Sequence, residues 1–199
     1  MTERSRTRVY RAAGLVALLA IVTALAATKY ARPWMINPSP SMPVGIYELR
    51  PVDHPIARGD TVVVCAPPSV TAFAAAYHYL GPGPCSSNTE YVLKLVAAIA
   101  GDVVDLGPRT IGINGRCLVT GITLERDHAR HVLPHVARGR YHLGPHQLWL
   151  WAPAARSFDS RYFGAVDARG VVNLASPAII GGPAAELQFS TDACPAEGR

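Results

Sequence analysis

The chain has 199 residues, 49% of them apolar, and a formal net charge of +5. That length accommodates one globular domain with its own core beside a membrane or targeting segment, and nothing in it marks a second domain. The positive balance comes from an arginine-rich head and scattered arginines, without the dense basic patch that nucleic-acid binding requires.

Arg4, Arg6, Arg8 and Arg11 precede an uncharged stretch from Ala12 to Ala27. Basic residues stay on the cytoplasmic side of a span. The expected organisation is therefore a cytoplasmic head over residues 1–11, a transmembrane anchor over 12–31 and an extracytoplasmic domain over 32–199. Lys29, Arg32 and Trp34 read as an interfacial collar that favours an anchor, while Ala24-Leu25-Ala26 offers the small-residue pattern of a cleaved secretory signal. Under this topology Cys65, Cys85, Cys117 and Cys194 sit in an oxidising compartment where disulfides persist. Four cysteines allow three connectivities. Cys65 and Cys85 flank one inserted segment, which favours that pair.

Next comes Asn37-Pro38-Ser39-Pro40-Ser41-Met42-Pro43, in which three prolines fix φ and forbid a helix. Such a stretch is either a stiff loop presenting Ser41 or a linker leaving the membrane. Beyond it, short runs rich in Val, Ile, Leu and aromatics predict strands over residues 45–49, 61–65, 91–96, 103–106, 110–118, 147–151 and 170–174. Asn114-Gly115 predicts a type I′ hairpin turn. One helix is expected over 70–80, capped by Ser69 and ended by Gly81. The body is thus all-β with a small helical insertion, and lacks the alternation of βαβ units. His128, His131, His135, His142 and His146 fall in one stretch, but Pro134 interrupts any helix that would align His131 with His135, and solvated loop histidines are the expectation.

Lysine is rare here. Of nineteen Lys and Arg residues only Lys29 and Lys94 are lysine, and Lys94 lies in the apolar run Tyr91-Val92-Leu93-Lys94-Leu95-Val96. Arginine stays protonated, whereas a desolvated lysine loses its proton near neutral pH and can act as a base. The run alone also allows a lysine on an edge strand that snorkels to water. Period-two alternation places Lys94 on one face with Val92 and Val96, opposite Leu93 and Leu95.

Ser-Met-Pro-Val-Gly-Ile-Tyr at 41–47, Lys94 with Gly101-Asp102 downstream, Ile113-Asn114-Gly115 and Ser157-Phe158-Asp159-Ser160-Arg161-Tyr162-Phe163-Gly164 occur in that order. Together they resemble the type I signal peptidase family, and most of all its conjugal-transfer, TraF-like branch. The resemblance implies a mainly β, signal-peptidase-like catalytic domain in the bacterial periplasm, held at the inner membrane by one N-terminal transmembrane helix. It implies Ser41 as nucleophile and neutral Lys94 as general base, with the oxyanion held by the Ser41 backbone N–H and the Ser39 hydroxyl. Ser157 matches the serine that hydrogen-bonds the lysine amine. Asp159 and Arg161 match an ion pair behind the site, the aspartate being also implicated in activity within the TraF-like branch. No cofactor or metal is implied. The partner is an exported precursor protein with small residues before the cut, pilin-like or another conjugation protein, in some members joined head to tail after cleavage.

The chain departs from the common family pattern where Trp151-Ala152-Pro153-Ala154-Ala155-Arg156 replaces a charged lead into the last motif, and where Leu95 replaces an arginine after the lysine. Both departures, with the lack of a second large domain, favour a specialised peptidase over a general signal peptidase I. Val44 excludes the Ser-x-x-Lys pattern of penicillin-binding enzymes. A LexA-like self-cleaving protein would lack the exported topology, and a non-enzymatic alternative is an anchored periplasmic assembly factor of a conjugation complex.

Overall fold

The structure is a computed structural model that describes residues 13–23, 33–119 and 122–194. It divides into the units Met1–Pro33 and Trp34–Arg199. In the first, the described residues 13–23 are helical and are labelled α1. Among the described residues no helix is long and apolar enough to cross a membrane. The head over 1–11 and the remainder of the expected anchor over 12–31 lie outside the described residues.

The second unit is mainly β. Its elements are β1 (Trp34–Asn37), β2 (Gly45–Arg50), β3 (Thr61–Val64), α2 (Pro68–Ala76), β4 (Val92–Ala98), β5 (Val103–Leu106), β6 (Ile111–Ile113) and β7 (Arg116–Leu118). There follow β8 (Gly139–His142), β9 (Gln147–Trp151), α3 (Ser160–Phe163), β10 (Val166–Asp167), β11 (Val171–Ile180) and β12 (Phe189–Ala193). A seven-stranded sheet runs β1-β2-β11-β3-β4-β9-β10, and a five-stranded one runs β12-β7-β6-β5-β8. All strand pairs are antiparallel.

Two cores lie on opposite faces of β4. Leu93 and Leu95 point into the core between the sheets with Val104, Ile111, Trp149 and Trp151. Val92 and Val96 point the other way, against Val70 and Ala74 of α2 and Tyr162 and Phe163 of α3. The alternation in the sequence is thus realised in three dimensions, because a strand buried on both faces sends successive side chains to different cores.

Every predicted strand region carries a strand, with the residues 110–118 run split by its turn. Asn114 (φ 51°) and Gly115 (φ 80°) both take the left-handed conformation that a type I′ turn demands. The helix starts earlier than expected. Pro68 occupies its first turn with a preset φ and Pro67 precedes it without a side-chain cap, so Ser69 lies inside the helix. It ends at Tyr77, with His78 at φ 57°, before Gly81 is reached. Strands β1, β8, β10 and β12 and the far half of β11 were not expected. β8 is an edge strand whose Arg140 and His142 stay exposed, so it carries no apolar signature. β11 tolerates Pro177 because its pairing with β3 ends at Ala175 and a register shift follows Pro177 on the β2 side.

Asp102 ties the turn after β4 to the hairpin. Its buried carboxylate accepts from Arg58, from the Ile99 N–H and from Asn114 Nδ2, and Asn114 Oδ1 accepts from the Val103 N–H. This accounts for Gly101-Asp102 and Asn114 as framework. Cys65 bridges Cys85, and Cys117 bridges Cys194. The first bridge closes the segment that contains α2, at a sequence separation of 20. Replacing both Cys65 and Cys85 by serine is expected to lower stability by about 3 kcal/mol through restored loop entropy in the unfolded chain. Urea unfolding of the two proteins would read this as a lower midpoint, and an unchanged midpoint would contradict it.

Candidate active site

The β1–β2 hairpin delivers the serines. Its strands close at the pair Asn37↔Gly45, and residues 38–44 form the loop between them. Gly45 is required at the neck of this loop. It sits at φ 152°, and a Cβ there would stand 2.1 Å from the Ile179 carbonyl oxygen on β11. Tyr47, buried with its hydroxyl donating to the Pro43 carbonyl at 2.8 Å, anchors the loop from β2. The Ser-x-Pro-x-Gly-x-Tyr spacing is therefore that of a braced loop.

Lys94 comes from the middle of β4, between β3 and β9, paired opposite Val62. An interior strand excludes the edge-strand reading, and Lys94 is only 4% exposed. Its amine reaches Ser41 Oγ at 3.1 Å. Ser39 Oγ donates to Ser41 Oγ at 3.1 Å, and the Ser41 N–H points back at Ser39 Oγ at 3.4 Å. Desolvation lowers the Lys94 pKa to about 8; Asp159 opposes that fall, Arg161 adds to it, and Glu90 opposes it. Burial among Val62, Val92 and Val96 thus makes a neutral amine accessible near physiological pH.

The Ser157–Gly164 motif is built around a buried ion pair. Asp159 and Arg161 are both fully buried and meet at 2.7 Å. The Asp159 carboxylate also accepts from the Ala152 and Arg161 N–H groups, and Ser160 Oγ accepts from the Leu150 N–H. These side chains take over the donors of β9 where the short β10 no longer covers it. Arg161 spends its remaining donors on the carbonyls of Ile122, Ala154, Ala155 and Ser157. Ala154 and Ala155, in the segment that departs from the family pattern, are thereby held by their backbone and not by their side chains. Leu95, in place of the family's arginine, is buried between the sheets, where a charge would have no solvent.

One expected contact is absent. Ser157 Oγ is buried without a hydrogen-bond partner, and the anticipated bond to Lys94 is not made. Ser157 is held by its backbone, its N–H on the Ala154 carbonyl and its carbonyl on Arg161, which leaves the hydroxyl direction unsecured.

Ser39, Ser41 and Lys94 line a cavity of about 340 Å³ with Met35, Tyr91 and Leu93 among its walls. A second cavity of about 360 Å³, walled largely by Tyr77, Leu124, Leu133 and Tyr162, shares His78, Tyr79, Arg156 and Phe158 with it. Among the described residues no group of three or more His, Cys, Asp or Glu is arranged to hold a metal ion. His131 engages Asp127 and His135 engages Glu125. Asn37 lies outside the motifs, although an asparagine before a proline marks a turn. In the structure it is buried, with its amide on the Ser39 and Met42 carbonyls that flank Ser41.

The family model "Signal peptidase, peptidase S26" matches residues 6–179. The chain belongs to the signal peptidase family, peptidase S26. Within this family it falls in the TraF-like branch. It is 35% identical over 158 residues to the conjugal transfer protein TraF of Agrobacterium tumefaciens, covering 78% of this chain and 88% of the relative. It is 32% identical over 170 residues to a plasmid transfer protein TraF of Escherichia coli, covering 84% of this chain and 91% of the relative. Among solved structures, a signal peptidase I from Enterococcus faecalis aligns with a TM-score of 0.33 at 20% identity, covering 61% of this chain and 97% of that one.

Proposed function

We propose that this S26 family member is a membrane-anchored serine endopeptidase in which Ser41 and Lys94 act as a catalytic dyad on an exported precursor. The observation that carries the reading is the 3.1 Å approach of a buried lysine amine to Ser41 Oγ. Neutral Lys94 takes the Ser41 proton as Oγ bonds to the scissile carbonyl carbon, and the carbonyl π electrons move onto oxygen. The Ser41 N–H and the Ser39 hydroxyl serve as the donors to that oxygen, Ser39 turning away from Ser41 Oγ to meet it. On collapse the C–N bond breaks, and protonated Lys94 gives its proton to the leaving amine. Water, deprotonated by Lys94, then releases the acyl group and restores Ser41.

The same acyl-enzyme is open to attack by the amine of a chain end, which would join the product head to tail. Mass analysis separates the two fates, because the linear product is heavier by one water. The uncharged stretch from Ala12 to Ala27 behind an arginine head supports anchoring at the inner membrane with the peptidase domain in the periplasm. The TraF names of its relatives support a substrate that serves conjugal transfer, and the family supports small side chains before the cut.

Two measurements test this. Ser41→Ala is expected to leave the precursor uncut in vivo, whereas an assembly factor without catalysis would tolerate the change. The kcat/KM of the purified protein is expected to rise with pH through a midpoint near 8 and then level off, because the neutral form of Lys94 is the working base. A profile flat between pH 6 and 10 would remove Lys94 from the mechanism.

A further inference from the structure

We propose that Asn37 is the positioning residue of this site, its side-chain amide setting both serine hydroxyls by supplying hydrogen bonds that the proline-rich loop cannot make for itself. The inference rests on the Ser41/Lys94 reading above. Residues 38–44 include Pro38, Pro40 and Pro43, none of which has an N–H. A loop so poor in donors cannot cross-link its own carbonyls.

Asn37 fills that gap. The two hydrogens of its Nδ2 group are shared among the carbonyls of Ser39 at 3.0 Å, Met42 at 3.2 Å and Pro43 at 3.1 Å. Its Oδ1 accepts from the Ser39 N–H at 3.2 Å. These contacts grip the backbone of Ser39 on one side of Ser41 and of Met42 and Pro43 on the other. The backbone on both sides of Ser41 is thus held from a single buried side chain, itself only 4% exposed. Register keeps the amide in place, since Asn37 is the last residue of β1 and pairs with Gly45 at the neck of the hairpin. An amide is the group required. It offers donors and an acceptor from one planar head without charge, whereas a carboxylate of the same size would set an anion against three carbonyl oxygens.

The hairpin does not depend on Asn37 alone, because the Tyr47 hydroxyl also donates to the Pro43 carbonyl at 2.8 Å. A substitution at 37 should therefore blur the loop more than it unfolds the domain. For catalysis blurring is costly, as displacement of reacting groups by about 1 Å can cost about 100-fold in rate.

The test uses the full-length protein in detergent with a peptide spanning the precursor cut, comparing Asn37→Ala and Asn37→Asp with wild type. Rates are expressed per folded molecule, counted from circular dichroism, and the rate of Ser41 acylation by a fluorophosphonate is followed alongside. Both variants are expected to lose about 100-fold in kcat and in acylation rate, with KM held within about threefold, and Asn37→Ala is expected to keep the wild-type pH midpoint. A merely structural role would reduce the folded fraction and leave kcat per folded molecule intact. That result in either variant overturns the proposal, as does a wild-type acylation rate for Asn37→Asp, which keeps the acceptor and loses the donors. If Ser41→Ala cleaves as fast as wild type while Asn37 is intact, the dyad reading has failed, and the role of Asn37 falls with it for a separately visible reason.

Discussion

Lys94→Met is expected to abolish cleavage and at the same time make the protein more stable. The loss of activity follows, on the proposed dyad, from removing the amine that reaches Ser41 Oγ at 3.1 Å. The gain follows from what the lysine costs the fold. Its pKa falls from 10.5 in the unfolded chain to about 8 when buried. A fall of that size means that the charged amine costs the folded state about 3 kcal/mol at neutral pH. Methionine has a similar length and no charge to desolvate. Below about 8 both states of the wild type bind the proton, and the full cost is present. Between about 8 and 10.5 the unfolded chain binds more protons than the folded one, so wild-type stability climbs with pH. The advantage of Lys94→Met should therefore be largest below pH 8 and fade toward pH 10.5. Urea unfolding at pH 7 and pH 10 reads the difference directly, and an advantage independent of pH would contradict the assignment of the cost to the buried charge. Lys94→Arg makes the complementary point. It keeps a cation that stays protonated, and it too should be inactive.

Asp159→Ala is expected to destabilise the domain by about 3–5 kcal/mol, the usual consequence of removing one partner from a buried ion pair. Arg161 would remain fully buried with a positive charge, bonded to carbonyl oxygens and without a counter-charge from Asp159. The Ala152 N–H would also lose its acceptor. The effect should reach the site, because the Asp159 charge works against the fall of the Lys94 pKa while Arg161 adds to it. With the anion gone and the cation left, the midpoint of the pH–rate profile should move below about 8 in the molecules that remain folded. A double replacement, Asp159→Leu with Arg161→Met, should recover much of the lost stability, since apolar side chains of similar volume often match a buried pair. Asp159→Ala unfolding within about 1 kcal/mol of wild type would mean the pair contributes little, against the general behaviour of such pairs. The outcome bears on whether Asp159 acts through the framework or through the electrostatics of Lys94, and the pH profile separates the two.

Much of the architecture is written locally. The strands over 61–65 and 91–96, the Asn114-Gly115 turn and the two-faced character of β4 were legible because each rests on short-range rules: β-branched runs, left-handed turn residues and a period of two. The elements that escaped notice are those whose stability is borrowed. β12 is a polar strand anchored beside β7 and tied through the Cys117–Cys194 bridge. β10 has two residues and exists because Leu148 and Gln147 on β9 offer partners. The start of α2 was misplaced because proline geometry set it in place of a serine cap.

By itself the sequence determined the chemistry on offer: one lysine in an apolar run, a serine on a proline-stiffened loop, an acid and an arginine two residues apart, and motifs in the order of the signal peptidase family. Which of these groups meet was decided only by the tertiary structure. Ser41 and Lys94 are brought to 3.1 Å because the seven-stranded sheet orders its strands so that the β1–β2 loop and the middle of β4 share one cavity. Interior placement of β4 turned an ambiguous lysine into a desolvated one, since burial is a property of neighbours and not of the run that carries it. The same long-range packing left Ser157 Oγ without its expected partner, whereas the Asn37 contacts reach only two to six residues along the chain and need no more than the closure of the β1–β2 hairpin.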